Sequence, residues 1–314
     1  MRICSFLPSA TEILYELGLG DNLVGVTHEC DFPHIATEKT VVVRSAFDAS
    51  KLNSKEIDNK IVQLVKEGKD IYVIDDDKLK NADPDLIVAQ GLCEVCSPHM
   101  KELDRAMSIL NNKPQVIVLD PHDFDEIFDS IAQIARTIGR EQKGEEVIAT
   151  LKRRIEYISS RVKTINNKPR VLCIEWLDPL FTSGHWIPQM VELAGAVNGV
   201  SKRAEPSRKM EWKEIIEFDP DIIFLIPCGF DVERTMTELW RIENVEKWKG
   251  LGAVKNREVY TTNAGWYFSK PGPRTVIGLE ILAKIIHPDL FGTLKVPEFV
   301  SENMLPFFVM LKSI

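Results

Sequence analysis

Apolar positions recur at intervals of three and four through the middle of the chain. Phe124, Ile127, Phe128, Ile131, Ile134, Ala135 and Ile138 form one set. Val147, Ile148, Leu151, Ile155, Ile158, Val162 and Ile165 form a second. Such spacing places each set on one helix face. The first set predicts a helix over about 124–138, with Gly139 suited to its end. The second predicts a helix over about 141–164, about 35 Å long at about 1.5 Å per residue. On either side, short apolar runs alternate with amphipathic ones. Before the long helix, strands are predicted at 2–6, 23–27, 41–43, 71–74, 86–89 and 115–119, with helices at 11–17, 54–67 and 98–110. After it, strands are predicted at 170–175, 222–226 and 258–261, with helices at 188–193, 211–217 and 274–286. Ser9-Ala10-Thr11-Glu12 has the spacing of a capping box, and Pro188 suits a first helical turn. Residues 289–314 are apolar without a usable period.

The two flanks rhyme. Asp83-Pro84-Asp85-Leu86-Ile87-Val88 is matched by Asp219-Pro220-Asp221-Ile222-Ile223-Phe224. Ser54-Lys55-Glu56-Ile57 is matched by Trp212-Lys213-Glu214-Ile215, and Glu16-Leu17-Gly18 by Glu192-Leu193-Ala194-Gly195. Three matches, with strands alternating with helices, predict an α/β protein of two related lobes with parallel sheets. The lobes are expected at 1–122 and 168–288. Linking helices at 123–167 include the single long backbone helix, and 289–314 form a tail. Two such lobes make a cleft, where ligands commonly bind. Ligands of parallel sheets collect at the carboxyl ends of the strands. That rule groups the segments 6–9, 28–33, 90–96, 176–186, 227–230 and 263–268.

Composition narrows the partners. The net charge of −8 over 314 residues argues against nucleic acid and against an anionic membrane surface. No run approaches the roughly 18 apolar residues of a membrane span. The first strand begins at Arg2, which leaves no signal peptide, so the chain is expected in the cytoplasm, or outside it if a leader has been removed. Six cysteines in so long a chain do not make a disulfide scaffold.

Candidate chemistry falls in the grouped segments. His28-x-Cys30 lies in one and Cys93-x-x-Cys96 in another, a donor set that could hold zinc, iron or a cluster. Inert buried thiols and a redox pair at Cys93 and Cys96 are the alternatives. Trp176, Trp186, Trp266, Tyr267 and Phe268 stand off any helical core period, and aromatic walls hold large flat ligands. Packing between lobes is the alternative for each. His185 is a further metal-ligand candidate. Arg44, Arg208 and Arg274 could meet acidic groups of a ligand. The sequence has no Gly-x-Ser-x-Gly, no phosphate-binding Gly-rich loop and no His-Glu-x-x-His, so no enzyme is expected.

Several stretches resemble the vitamin B12 and metal-chelate binding proteins of ABC transporters. They are Ser5-Phe6-Leu7-Pro8-Ser9-Ala10-Thr11-Glu12, Leu19-Gly20-Asp21-Asn22-Leu23-Val24-Gly25-Val26, Pro84-Asp85-Leu86-Ile87-Val88, Phe181-Thr182-Ser183-Gly184 and Pro273-Arg274. The resemblance covers residues 1–287. His-Glu-Cys-Asp at 28–31, Leu-Cys-Glu-Val-Cys at 92–96 and Gly-His-Trp at 184–186 are similar to its cobalamin-binding subgroup. The resemblance implies two Rossmann-like lobes joined by a backbone helix, the class III periplasmic-binding-protein fold. It implies a receptor, not an enzyme, that holds cobalamin or a related corrinoid and delivers it to an ABC permease. Ligand contacts are then expected from Pro8, Ser9, Arg44, Phe47, Trp176, His185, Trp186, Trp266, Tyr267 and Phe268. Glu56 and Glu214 are the positions nearest to the family's permease-docking carboxylates. A metalloprotein built on His28, Cys30, Cys93 and Cys96 is one rival reading, and a haem or iron-siderophore receptor is another.

Overall fold

The structure, a computed structural model, describes residues 1–91, 100–296 and 308–310. The chain forms two compact units. One comprises Met1–Pro121 and Asp125–Ala149, the other His122–Phe124 and the chain from Thr150 onward.

The first unit contains strands β1 (Ile3–Ser5), β2 (Leu23–Thr27), β3 (Val41–Ser45), β4 (Tyr72–Ile74), β5 (Leu86–Gln90) and β6 (Gln115–Leu119). They form one sheet in the order β4-β3-β2-β1-β5-β6. β1, β2, β3, β5 and β6 run parallel, while β4 pairs antiparallel with β3 at the edge. β5 is buried along its whole length, as its unbroken apolar run requires of a central strand. Its neighbour β1 is buried likewise. Helices α1 (Pro8–Glu16), α2 (Ser54–Lys66), α3 (Asp76–Ala82) and α4 (Met100–Ile109) accompany the sheet. α1 starts at Pro8, whose fixed φ suits a first turn, and no side chain caps it. The capping box expected at Ser9 is therefore absent: Ser9 lies inside the helix and is buried. α2 carries the real box, Asn53 with Glu56. The expected start of α4 at residue 98 lies outside the described residues.

Helices α5 (Phe124–Thr137) and α6 (Glu141–Val162) follow. Gly139, at φ 68°, ends the first of them, with Arg140 N–H returning to Ala135 O at 2.8 Å. α6 contributes its residues up to Ala149 to the first unit and those from Thr150 to the second.

The second unit contains β7 (Val171–Leu177), β8 (Leu180–Thr182), β9 (Ile222–Leu225), β10 (Val259–Thr262) and β11 (Phe308–Met310). The order is β11-β10-β9-β7-β8. β7, β9 and β10 are parallel, and both edges are antiparallel. The edge strands β8 and β11 depart from the sequence reading, which places 180–182 in an exit segment and finds no usable period in 289–314. Helices α7 (Ile187–Leu193) and α8 (Trp212–Phe218) precede four short ones: α9 (Val232–Glu238), α10 (Trp240–Glu243), α11 (Glu246–Gly250) and α12 (Gly252–Lys255). α13 (Ala264–Tyr267) replaces the loop expected at 263–268, and α14 (Thr275–Ile286) and α15 (Pro288–Phe291) follow. Every residue of α14 except Lys284 is buried. Its Glu280 accepts both Nε and Nη2 of Arg154 on α6, each at 2.7 Å.

The internal repeat recurs in the geometry of its turns. Asp83 and Asp219 end α3 and α8 with φ of 39° and 47°. Asp85 then accepts the backbone N–H of Arg2 at 2.7 Å, and Asp221 that of Arg170 at 2.7 Å. Gly18 and Gly195 end α1 and α7 at φ 77° and 79°, with matching returns from Leu19 to Leu14 and from Ala196 to Val191. Glu56 and Glu214 occupy the same third position of α2 and α8, each closing a capping box.

Candidate functional site

The carboxyl edge of the second sheet gathers four segments through named bonds. Near the end of β7, Glu175 accepts Gly184 N–H at 3.1 Å through its side chain and Cys228 N–H at 3.1 Å through its carbonyl. The exits of β9 and β10 meet where Gly229 N–H reaches Ser269 Oγ at 2.9 Å and Gly265 N–H reaches Phe230 O at 3.0 Å. The segment after β8 joins them through Trp186, whose Nε1 donates to Phe268 O at 3.0 Å. Gly184 is required here. A Cβ at that position would lie 2.2 Å from Ser207 N and 2.7 Å from Pro206 C, because the backbone of 205–208 runs along this segment.

The aromatic residues on this edge divide into two groups. Trp186, Tyr267 and Phe268 are buried, at 4%, 2% and 3% exposure. Burial pushes the Tyr267 hydroxyl up to about 12, with Arg274 opposing. Trp186 ties the segment after β8 to the exit of β10 through its bond to Phe268 O. Trp176 and Trp266 are half-buried and keep an open side. Trp176 packs against Phe230 with ring centroids 5.2 Å apart, and Arg274 sets its guanidinium 5.7 Å from the centre of Trp266. His185 is half-buried, with its ring stacked on Trp186. The sequence did not single out Phe230. It follows the turn at Gly229, and only the pairing of β9 with β7 brings it to Trp176.

In the first unit the sheet order reverses between β1 and β5, the position where doubly wound sheets open a crevice at their carboxyl ends. Phe6 N–H bonds Val88 O there at 2.8 Å. Pro8 and Ser9 are buried in the first turn of α1. Arg44 is exposed at the end of β3, and Phe47 is half-buried against the core. The Cys30 thiol is buried, accepting from Thr11 Oγ1 at 3.1 Å and lying 3.4 Å from Thr27 Oγ1. His28 is exposed beside Glu29, Nε2 to Oε1 3.9 Å. Among the described residues no group of three or more His, Cys, Asp or Glu is placed to hold a metal ion. Cys93 and Cys96 lie outside the described residues.

Comparison with known proteins adds the family. The family model of periplasmic binding proteins matches residues 3–264. The chain belongs to the periplasmic binding protein family. An uncharacterized ABC transporter substrate-binding lipoprotein of Bacillus subtilis is 27% identical over 297 residues, covering 92% of this chain and 81% of the relative. The vitamin B12-binding protein of Vibrio cholerae is 24% identical over 282 residues, covering 89% and 86%. A crystal structure of a possible iron-binding periplasmic solute-binding protein from Staphylococcus epidermidis is 25% identical, covers 91% of this chain and 98% of its own, and superposes with a TM-score of 0.64. The helical-backbone, class III fold expected from the sequence is the fold of this periplasmic binding protein. The expected cytoplasmic location finds no support, since the Bacillus relative is a lipoprotein. No helix among the described residues is long and apolar enough to cross a membrane.

The glutamates at the two equivalent helix starts differ in their surroundings. Glu56 is exposed, and its carboxylate accepts Asn53 N–H at 2.9 Å. Glu214 is half-buried and accepts Arg208 at 2.6 and 3.2 Å, which holds its carboxyl below the usual range and the guanidinium above its own. Arg208 therefore serves Glu214 in this structure.

Proposed function

We propose that this chain is the receptor component of an ABC importer and that its cargo is cobalamin or a related corrinoid. The observation that carries the reading is the aromatic carboxyl edge of the second unit. Trp176 and Trp266 are half-buried on that edge, the first backed by the buried Phe230 and the second by Arg274. A large flat ligand with acidic or amide substituents suits such an edge. The named ligand of the Vibrio relative points the same way. Glu56 and Glu214, at equivalent helix starts, are the proposed docking carboxylates for a permease.

Tryptophan-fluorescence titration with cobalamin, cobinamide, haemin and ferric citrate tests the reading. Micromolar or tighter binding of a corrinoid, one per chain, is expected. Trp176→Ala and Trp266→Ala are each expected to weaken it at least about tenfold, or about 1.4 kcal/mol. Binding of haemin or ferric citrate with no response to either corrinoid transfers the assignment to an iron complex. Stoichiometric zinc or iron in protein purified without added metal, lost on Cys93→Ser with Cys96→Ser, transfers it to the cysteine-bearing loops.

A further inference from the structure

The turn between β7 and β8, the lead into α8 and the stretch α10–α11 line an open cavity of about 490 Å³ in the second unit. That volume falls among those of small-molecule sites, about 300–1,000 Å³. The local sequence explains its floor. A bulge in β7 between Ile174 and Trp176 shifts the register against β8, so that Leu177 pairs with Leu180. Both leucines then join the buried core of the unit, as do Met210 and Ile242. Leu177, Leu180, Met210 and Ile242 are the buried apolar residues of the cavity, and the half-buried Trp212 lines it with them. Bonds between the elements fix its walls. Met210 N–H donates to Leu180 O at 3.0 Å, and Arg241 Nη1 donates to Asp178 at 2.9 Å. Neither Trp176 nor Trp266 lines this cavity, and Trp176 packs on Phe230 instead.

Charge selects what such a cavity takes. Three cations line it, Lys213, Arg241 and Lys247, against two carboxylates, Asp178 and Glu211. Asp178 is already tied to Arg241. The Arg241 side chain is 7% exposed and gives Nε to Glu238 at 2.6 Å and Nη1 to Asp178, so neither bond uses Nη2. Lys213 and Lys247 are exposed, and the 3.7 Å contact of Lys213 with Glu217, between two exposed groups, holds it weakly. We infer that this cavity is a second binding site, apart from the aromatic edge, for a small organic anion with an aromatic or branched apolar body. The body lies against the buried leucines, Met210 and Trp212, where apolar surface leaves water. The anionic head meets the guanidinium and the two ammonium groups, which form charge-assisted bonds to it. A cation of the same shape meets an excess of like charge, and a neutral molecule gains no charge-assisted bond from the lysines.

Calorimetric titration of the whole chain with naphthoate tests the inference, with naphthamide and naphthylmethylammonium as the neutral and cationic isosteres. One naphthoate per chain is expected, bound at least about tenfold more tightly than either isostere. Lys213→Glu combined with Lys247→Glu changes only exposed positions. That variant is expected to bind naphthoate at least about tenfold more weakly, with its Tm and its response to cobinamide unchanged. Trp176→Ala and Trp266→Ala are expected to leave the affinity for naphthoate unchanged, because neither residue lines the cavity. No binding of naphthoate at millimolar concentration, equal affinity for the cationic isostere, or full affinity in the double lysine variant overturns the site. Loss of naphthoate binding in either tryptophan variant overturns it as well and assigns the probe to the aromatic edge.

Discussion

At the scale of single residues, positions with no freedom carry the sharpest expectations. Gly184 faces backbone atoms, which cannot swing away as a side-chain end can. Gly184→Ala is therefore expected to cost about 1–3 kcal/mol, read as a lower midpoint in urea unfolding. Gly250, with open space where its Cβ would stand, is the comparison that should move little. Arg241 is the second such position. It is 7% exposed, and it bonds Glu238, 5% exposed, at 2.6 Å and Asp178 at 2.9 Å. Arg241→Ala leaves the Glu238 carboxylate buried without its cation. A loss of about 3–5 kcal/mol is expected by thermal or denaturant unfolding. Truncating the exposed partner of Lys213 and Glu217, an i,i+4 pair, should cost under about 0.5 kcal/mol.

At the scale of elements, the same local devices build both units. An Asp in the left-handed region ends a helix, proline follows, and a second Asp ties the incoming strand to the N–H before its neighbour. The dipeptide spacing made this repeat readable, because each step is local and chemically specific. The end of α14 shows an element-level dependence on pH. His287 closes that helix, and burial holds its pKa below the ordinary value of about 6.5, with bonds to Gly195 and Ala194 opposing. Its unfolded form takes up a proton at a higher pH than its folded form. The stability it contributes is therefore complete above about pH 6.5 and is lost as the pH falls below it. The unfolding midpoint is expected to drop between pH 7.5 and 5.5, and His287→Gln to flatten that drop. Asp221 and Glu214, both held low by arginine, lose their contribution only as the pH falls below about 4, so the two windows are separate.

At the scale of the whole molecule, a cargo that binds only the folded chain must stabilise it. At a free ligand concentration of about 100 Kd the gain is about 2.7 kcal/mol, which should raise Tm by several degrees. Cobinamide is expected to produce this rise in the native chain and a smaller one in Trp176→Ala. An unchanged Tm at saturating cobinamide would contradict the proposed cargo.

The periods of the long helices, the strand–helix alternation and the repeated turns are legible in the chain alone, since they depend on residues a few positions apart. It also marked Trp176, His185 and Trp266 as candidates, because aromatic and imidazole side chains outside a core period are conspicuous. Which aromatic residues stay partly exposed depends on the folded chain. Trp186, Tyr267 and Phe268 look the same in sequence as Trp176 and Trp266, yet they are buried. The structure likewise turned Ser9 from a cap into a buried helical residue, because Pro8 takes the first turn. It gave Arg208 to Glu214, and it brought His122 to His185 across more than sixty residues. Burial and long-range pairing are properties of the folded surface, and no local pattern encodes them.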